Sequence, residues 1–127
     1  MAGPLMILVA GPYRSGTGDD PALIARNMRA MNEAALALFR RGHLPMTGEA
    51  IALPLIETAG SRGLGDAVFD EIFHPIAERL ARRCDAVLRI GGTSAGADAM
   101  VRIFAGAGRT VFHSLDEVPP PAETAPS

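Results

Sequence analysis

The chain has 127 residues, 48% of them apolar and 20% charged, with a formal net charge of −2 and no lysine. That length suits one domain with its own core, and the apolar content excludes a disordered chain. With arginine as the only permanent cation and no basic patch, no nucleic acid polymer is expected as partner. The lone Cys84 cannot form an internal disulfide and reads as a small buried hydrophobe. No stretch approaches the roughly 20 apolar residues of a membrane span, and the first apolar run has no basic segment before it. A cytoplasmic protein with no membrane partner is the expectation.

"PLMILVAG" (4–11) is a continuous apolar run ending in glycine, the pattern of a strand buried on both faces of a parallel sheet. A polar glycine-rich loop, 11–20, follows. Asp20 and Pro21 then read as an N-cap and a proline at the first helical position. Ile24, Met28, Met31, Ala35 and Leu38 recur at spacings of three and four, which predicts one apolar stripe on a long helix. Arg40, Arg41 and Gly42 supply its C-terminal signals.

The segment 43–65 carries two prolines and four glycines. It reads as a short strand near Leu44–Thr47 followed by a mobile stretch. Helical pattern resumes over 66–84, with a break or restart expected at Pro75, since a mid-helix proline removes a hydrogen bond. "DAVLRIGG" (85–92) is the second buried strand, and a helix is predicted from Ala97 to Ala107 with Gly108 as its cap. A last strand lies in 109–115. The domain is expected to span residues 1–116, leaving 117–127 as a proline-rich, disordered tail outside the core.

Strands alternating with helices imply an α/β fold: a doubly wound, Rossmann-like parallel sheet of four to five strands in a single three-layer domain. In such sheets ligands bind beyond the carboxyl ends of the strands, where the strand order reverses. Two loops, 11–20 and 91–98, leave strand ends and enter helix N-termini, and both are rich in glycine and hydroxyl residues. Small residues allow backbone N–H groups to approach an anion, while Arg14, Ser15, Thr17 and Ser94 offer further donors. Simple capped turns are the alternative. Neither a P-loop nor a dinucleotide fingerprint is present. Asp19 and Asp20 compete with a phosphate for the first helix N-terminus, so that loop suits either a hydroxylated sugar or a phosphate held on Arg14. His43, His74 and His113 lack metal-ligand spacing; neither a metal nor a cofactor is expected.

"ILVAGPYR" (7–14) and "CDAVLRIGGTSAGADAMVRIFAGAGRTVF" (84–112) resemble the nucleoside 2-deoxyribosyltransferase superfamily, which includes 2'-deoxynucleoside 5'-monophosphate N-glycosidases. The similarity covers about residues 5–115 and is weakest over 43–75. It implies a flavodoxin-like fold and cleavage or transfer at the N-glycosidic bond of a nucleoside or nucleotide through a glutamate nucleophile. A homodimer or larger oligomer, in which a neighbour helps close the site, is also implied. By the same resemblance Gly11, Pro12, Tyr13 and Arg14 match a loop contacting the sugar or its phosphate, and Ser94, Gly96 and Asp98 match the second loop.

The resemblance places the nucleophilic glutamate at Met100, and a further aspartate at Ala77, beside Glu78. A thioether cannot attack an anomeric carbon, so another carboxylate is needed. Asp98 and Glu49 are the candidates. A non-catalytic nucleotide or nucleotide-sugar binder is the alternative. A weaker likeness links "GGTSAG" to the phosphate loop of cytokinin-activating phosphoribohydrolases, which also use a glutamate that is absent here.

Overall fold

A computed structural model describes residues 3–121. Four strands, β1 (Met6–Ala10), β2 (Leu44–Met46), β3 (Ala86–Arg89) and β4 (Thr110–Phe112), form one all-parallel sheet in the order β2-β1-β3-β4. Four helices flank it: α1 (Pro21–Arg40), α2 (Gly48–Thr58), α3 (Ala67–Ala81) and α4 (Ala95–Gly106). The expected three-layer, doubly wound α/β architecture is therefore observed, with four strands.

Alternation along β1 builds both halves of the core, because successive side chains of a strand point to opposite faces. Ile7 and Val9 meet Met31 and Leu38 of α1, together with Leu88 and Phe112. On the other face Leu8 and Ala10 meet Ala81 of α3 and Ala97, Met100 and Phe104 of α4. The apolar stripe on α1 is thus the face that covers the sheet. Asp20 caps this helix as expected, its carboxylate accepting from the Ala22 N–H at 2.9 Å, and Gly42 ends it in the left-handed conformation.

Three expectations are corrected. The stretch after β2 is helical: Thr47 caps α2 by accepting from Ala50 N–H, and Ala52 and Ile56 pack on Phe69 of α3. Apolar burial against a neighbouring helix outweighs one proline, Pro54, inside it. Similarly, α3 runs unbroken through Pro75. The carbonyl that loses its donor there belongs to Glu71, an exposed residue whose backbone can turn to water.

The third correction concerns the chain end. A 3-10 turn, Leu115–Glu117, leads into a segment that stays on the body, with Val118 2% exposed in the α1-side core. Arg41 Nη1 donates to the carbonyls of Leu115 and Val118 at 2.9 and 3.0 Å. His43 accepts from Leu5 N–H at Nδ1, so its Nε2 carries the proton and donates to Pro119 O at 2.7 Å. The prolines of the segment leave few backbone donors to satisfy, and two side chains from the α1–β2 turn satisfy the carbonyls. The rest of the expected tail, 122–127, lies outside the described residues. Arg41→Ala should lower stability by about 1–2 kcal/mol, the worth of two charge-assisted hydrogen bonds at a half-exposed site. Urea unfolding checks this, and an unchanged midpoint would show that Val118 alone holds the strap.

No helix among the described residues is long and apolar enough to cross a membrane.

Candidate functional site

The chain leaves β1 for a helix on one face of the sheet and leaves β3 for a helix on the other, so the strand order reverses between these two neighbours. Their register pairs Ala10 with Arg89, which brings their carboxyl ends level. Ile90 N–H donates to Ala10 O at 2.9 Å, and the two loops depart side by side. Such a reversal leaves a crevice above the sheet. Here it holds a cavity of about 190 Å³, bounded also by the start of α2 and one side of α3.

Glycines permit that closeness. A Cβ on Gly11 would come within 2.9 Å of both the Ile90 Cγ1 and the Met31 Sδ. Gly91 has φ +76°, and a Cβ there would lie 2.7 Å from Pro12 Cδ. Any larger residue at either position would push the loops apart. Arg89 then ties the second loop down, donating to Ile90 O, to Gly92 O at 2.8 Å and to the Asp98 carboxylate at 3.1 Å.

Of the residues singled out in the two loops, Gly11, Tyr13, Arg14, Ser15, Ser94 and Gly96 line the cavity. Pro12 does not; it packs under Gly91. Asp98 also lies outside. At about 100° per residue, it and Met100 are some 200° apart on a regular helix, and α4 is regular from Ala95 onward. Since Met100 faces the cavity, Asp98 faces solvent, 54% exposed and paired with Arg89. Its candidacy as the missing carboxylate is set aside on that geometry.

Met100, 8% exposed, and Ala77 both line the cavity, so both positions where the resemblance implies a carboxylate present apolar groups to it. Glu78 is exposed and lines no part of it. Glu49 does, from the first turn of α2, at 7% exposure. It is the one carboxylate lining the cavity among the described residues. Burial pushes its carboxyl above the usual range, although a hydrogen bond from its own backbone works the other way. Tyr13, opposite, has its phenol raised by burial and then by the Glu49 charge, with the Arg14 cation opposing.

An aromatic wall faces these groups. Tyr13 stacks on Phe73 at 5.4 Å between centroids, Phe73 on Phe69 at 4.9 Å, and the Arg14 guanidinium lies 5.5 Å over Phe69. Phe69 and Phe73 are not singled out by the sequence, because α3 reads there as an ordinary amphipathic helix, and His74 is weighed there only as a metal ligand. The stacked pair at spacing four was the available signal.

Ser94 caps α4, its hydroxyl oxygen accepting from Ala97 N–H at 3.1 Å, which leaves the hydroxyl proton for a ligand. A Cβ on Gly96 would touch nothing, so the helix start is open on that side. The site therefore combines hydroxyl and backbone donors, one buried acid, and an apolar and aromatic lining. No protein-family model and no curated protein matches this chain.

Proposed function

We propose that this protein binds a nucleoside or nucleotide in the cavity at the β1–β3 ends and acts on its N-glycosidic bond, by hydrolysis or transfer. The observation that carries the reading is convergence: both hydroxyl-bearing loops and the buried Glu49 meet in one cavity at the strand-order reversal. Its volume is below the ~300–1,000 Å³ of drug-sized sites. It suits the sugar and the bond at C1', with the rest of the ligand extending past the aromatic wall.

Glu49 supplies the chemistry. Burial shifts the Glu49 carboxyl toward its protonated form, the form that serves as a general acid toward a departing base. The C1'–N bond breaks with its electron pair going to the base, and Glu49 gives its proton to the base nitrogen. A water, or the hydroxyl or amine of an acceptor, then adds to C1' and returns a proton to the Glu49 carboxylate. Ser94 and the start of α4 hold the sugar hydroxyls, and Tyr13 orients the ring. A cytoplasmic location and a homodimer or larger oligomer belong to the same proposal. Exposed Ile51 and Leu55 on α2, with Leu64 beyond it, offer such an assembly an apolar surface.

A second reading, a non-catalytic binder, is favoured by Met100 and Ala77, which put apolar groups where the resemblance implies carboxylates. Incubation with a panel of 2'-deoxynucleosides and their 5'-monophosphates, followed by chromatography for free base, separates the two. Release of base supports the enzyme; thermal stabilisation of the protein by a panel member with no base released supports the binder. If no compound does either, both readings fall.

A further inference from the structure

Arg14 is the one permanently cationic side chain lining the cavity among the described residues, and so the natural seat for a ligand phosphate. One edge of its fork is already filled. Nε donates to Asp19 Oδ1 and Nη2 to Asp19 Oδ2, both at 3.0 Å, the bidentate geometry that a phosphate would otherwise take. The carboxylate holds the guanidinium above its usual range, and the guanidinium holds the Asp19 carboxyl below its own.

The loop is shaped to keep Asp19 there. Thr17 Oγ1 donates to Arg14 O at 2.5 Å and accepts from Asp19 N–H at 3.1 Å, while Asp20 N–H donates to Thr17 O at 3.0 Å. Asp19 itself sits at φ +60°, the only non-glycine residue with positive φ among those described. An L-residue pays a backbone cost for that conformation. The ion pair is half-exposed, at 36% and 49%, and an exposed pair contributes little to folding. Stability alone therefore gives no reason for the strained aspartate.

Resting on the proposed nucleoside or nucleotide site, we infer that Asp19 is a specificity-determining residue: an internal carboxylate that occupies Arg14 and makes the cavity reject 5'-phosphates in favour of unphosphorylated nucleosides. A phosphate taking the Nε–Nη2 edge must displace a tethered carboxylate, and one taking the Nη1 side must sit beside that carboxylate. A neutral sugar meets neither cost, since Ser94, Ser15 and the start of α4 serve hydroxyls without a cation.

Isothermal calorimetry with the four 2'-deoxynucleosides and their 5'-monophosphates, on the wild-type protein, Asp19→Asn and the double variant Asp19→Asn with Arg14→Ala, tests this. Asparagine tolerates the left-handed conformation, so the loop should survive, and a melting curve checks that it does. The wild type should bind a nucleoside at least about tenfold tighter than its monophosphate, and Asp19→Asn should tighten the monophosphate by about tenfold with the nucleoside unchanged, as one freed charge-assisted contact implies. The double variant should cancel that gain. A wild-type protein that prefers the monophosphate, or an Asp19→Asn protein that binds it no better, overturns the role of Asp19 while leaving the site itself standing. Failure of all the compounds to bind every variant removes the proposed function and this inference with it.

Discussion

Replacing Phe104 by alanine should cost about 3–5 kcal/mol, a large share of the ~5–15 kcal/mol that holds a domain together. The ring is 0% exposed and sits in the cluster that joins α3 and α4 to the sheet. It also serves as a platform. The Arg109 guanidinium lies 4.4 Å above it and donates through Nη1 to the carbonyls of Ala81 and Cys84, at 2.7 and 2.6 Å, closing the end of α3. Truncation removes the ring contacts and loosens the arginine that satisfies those carbonyls. Met100 lies one turn earlier on the same helix face, so any ligand response should fade together with the fold. A urea midpoint reduced by less than the equivalent of about 1 kcal/mol would show that the cluster relaxes around the void.

Glu49→Gln should give the second large effect, in opposite directions for stability and for chemistry. Burial raises the carboxyl above its usual range, so the folded protein holds this proton more tightly than the unfolded chain does. Stability associated with it is fully present below the unfolded value and is lost as pH rises through the raised folded value. Glutamine carries no such charge. The variant should therefore match the wild type near pH 4 and exceed it at pH 8, by an increment that urea melts at several pH values will read. A gap independent of pH, or a variant weaker at pH 8, would mean that the ionised carboxylate is satisfied in the folded state. Base release, where the panel shows any, should fall by on the order of 10²- to 10⁴-fold, the usual worth of a positioned acid. Gaining stability while losing turnover is the pattern of a residue retained for its chemistry.

The local code for most elements is plain in the residues. Apolar runs before Gly11 and Gly91 specify buried strands, and Asp20-Pro21 and Gly42 bracket α1, because those signals act within a few residues of where they sit. By contrast, α2 was hidden. Pro54 within it and the glycines that follow it speak against a helix locally, and only the apolar face of α3 makes the helical state worth its cost. The same holds for the strap through Pro121, whose carbonyls find Arg41 and His43, more than 70 residues away in sequence.

Met100 and Ala77 read as apolar where a carboxylate is implied, with Glu49 and Asp98 as candidate substitutes, the latter only if its helix starts late enough to free it from the helix phase. The fold decides between them: α4 is regular from Ala95, which turns Asp98 to solvent, while the position of α2 turns Glu49 inward. Likewise, Arg14 and Asp19 were both visible as loop charges, yet their pairing depends on one left-handed residue.

By itself, the chain's own pattern determined an α/β parallel sheet and two glycine-rich loops at strand ends, because hydrophobic period and turn chemistry are local properties. Which side chains share the cavity, which acid is buried and which cation is already neutralised were decided by tertiary structure alone. Desolvation and ion pairing depend on neighbours distant along the chain, and on a helix phase or a backbone angle that no short stretch of residues encodes.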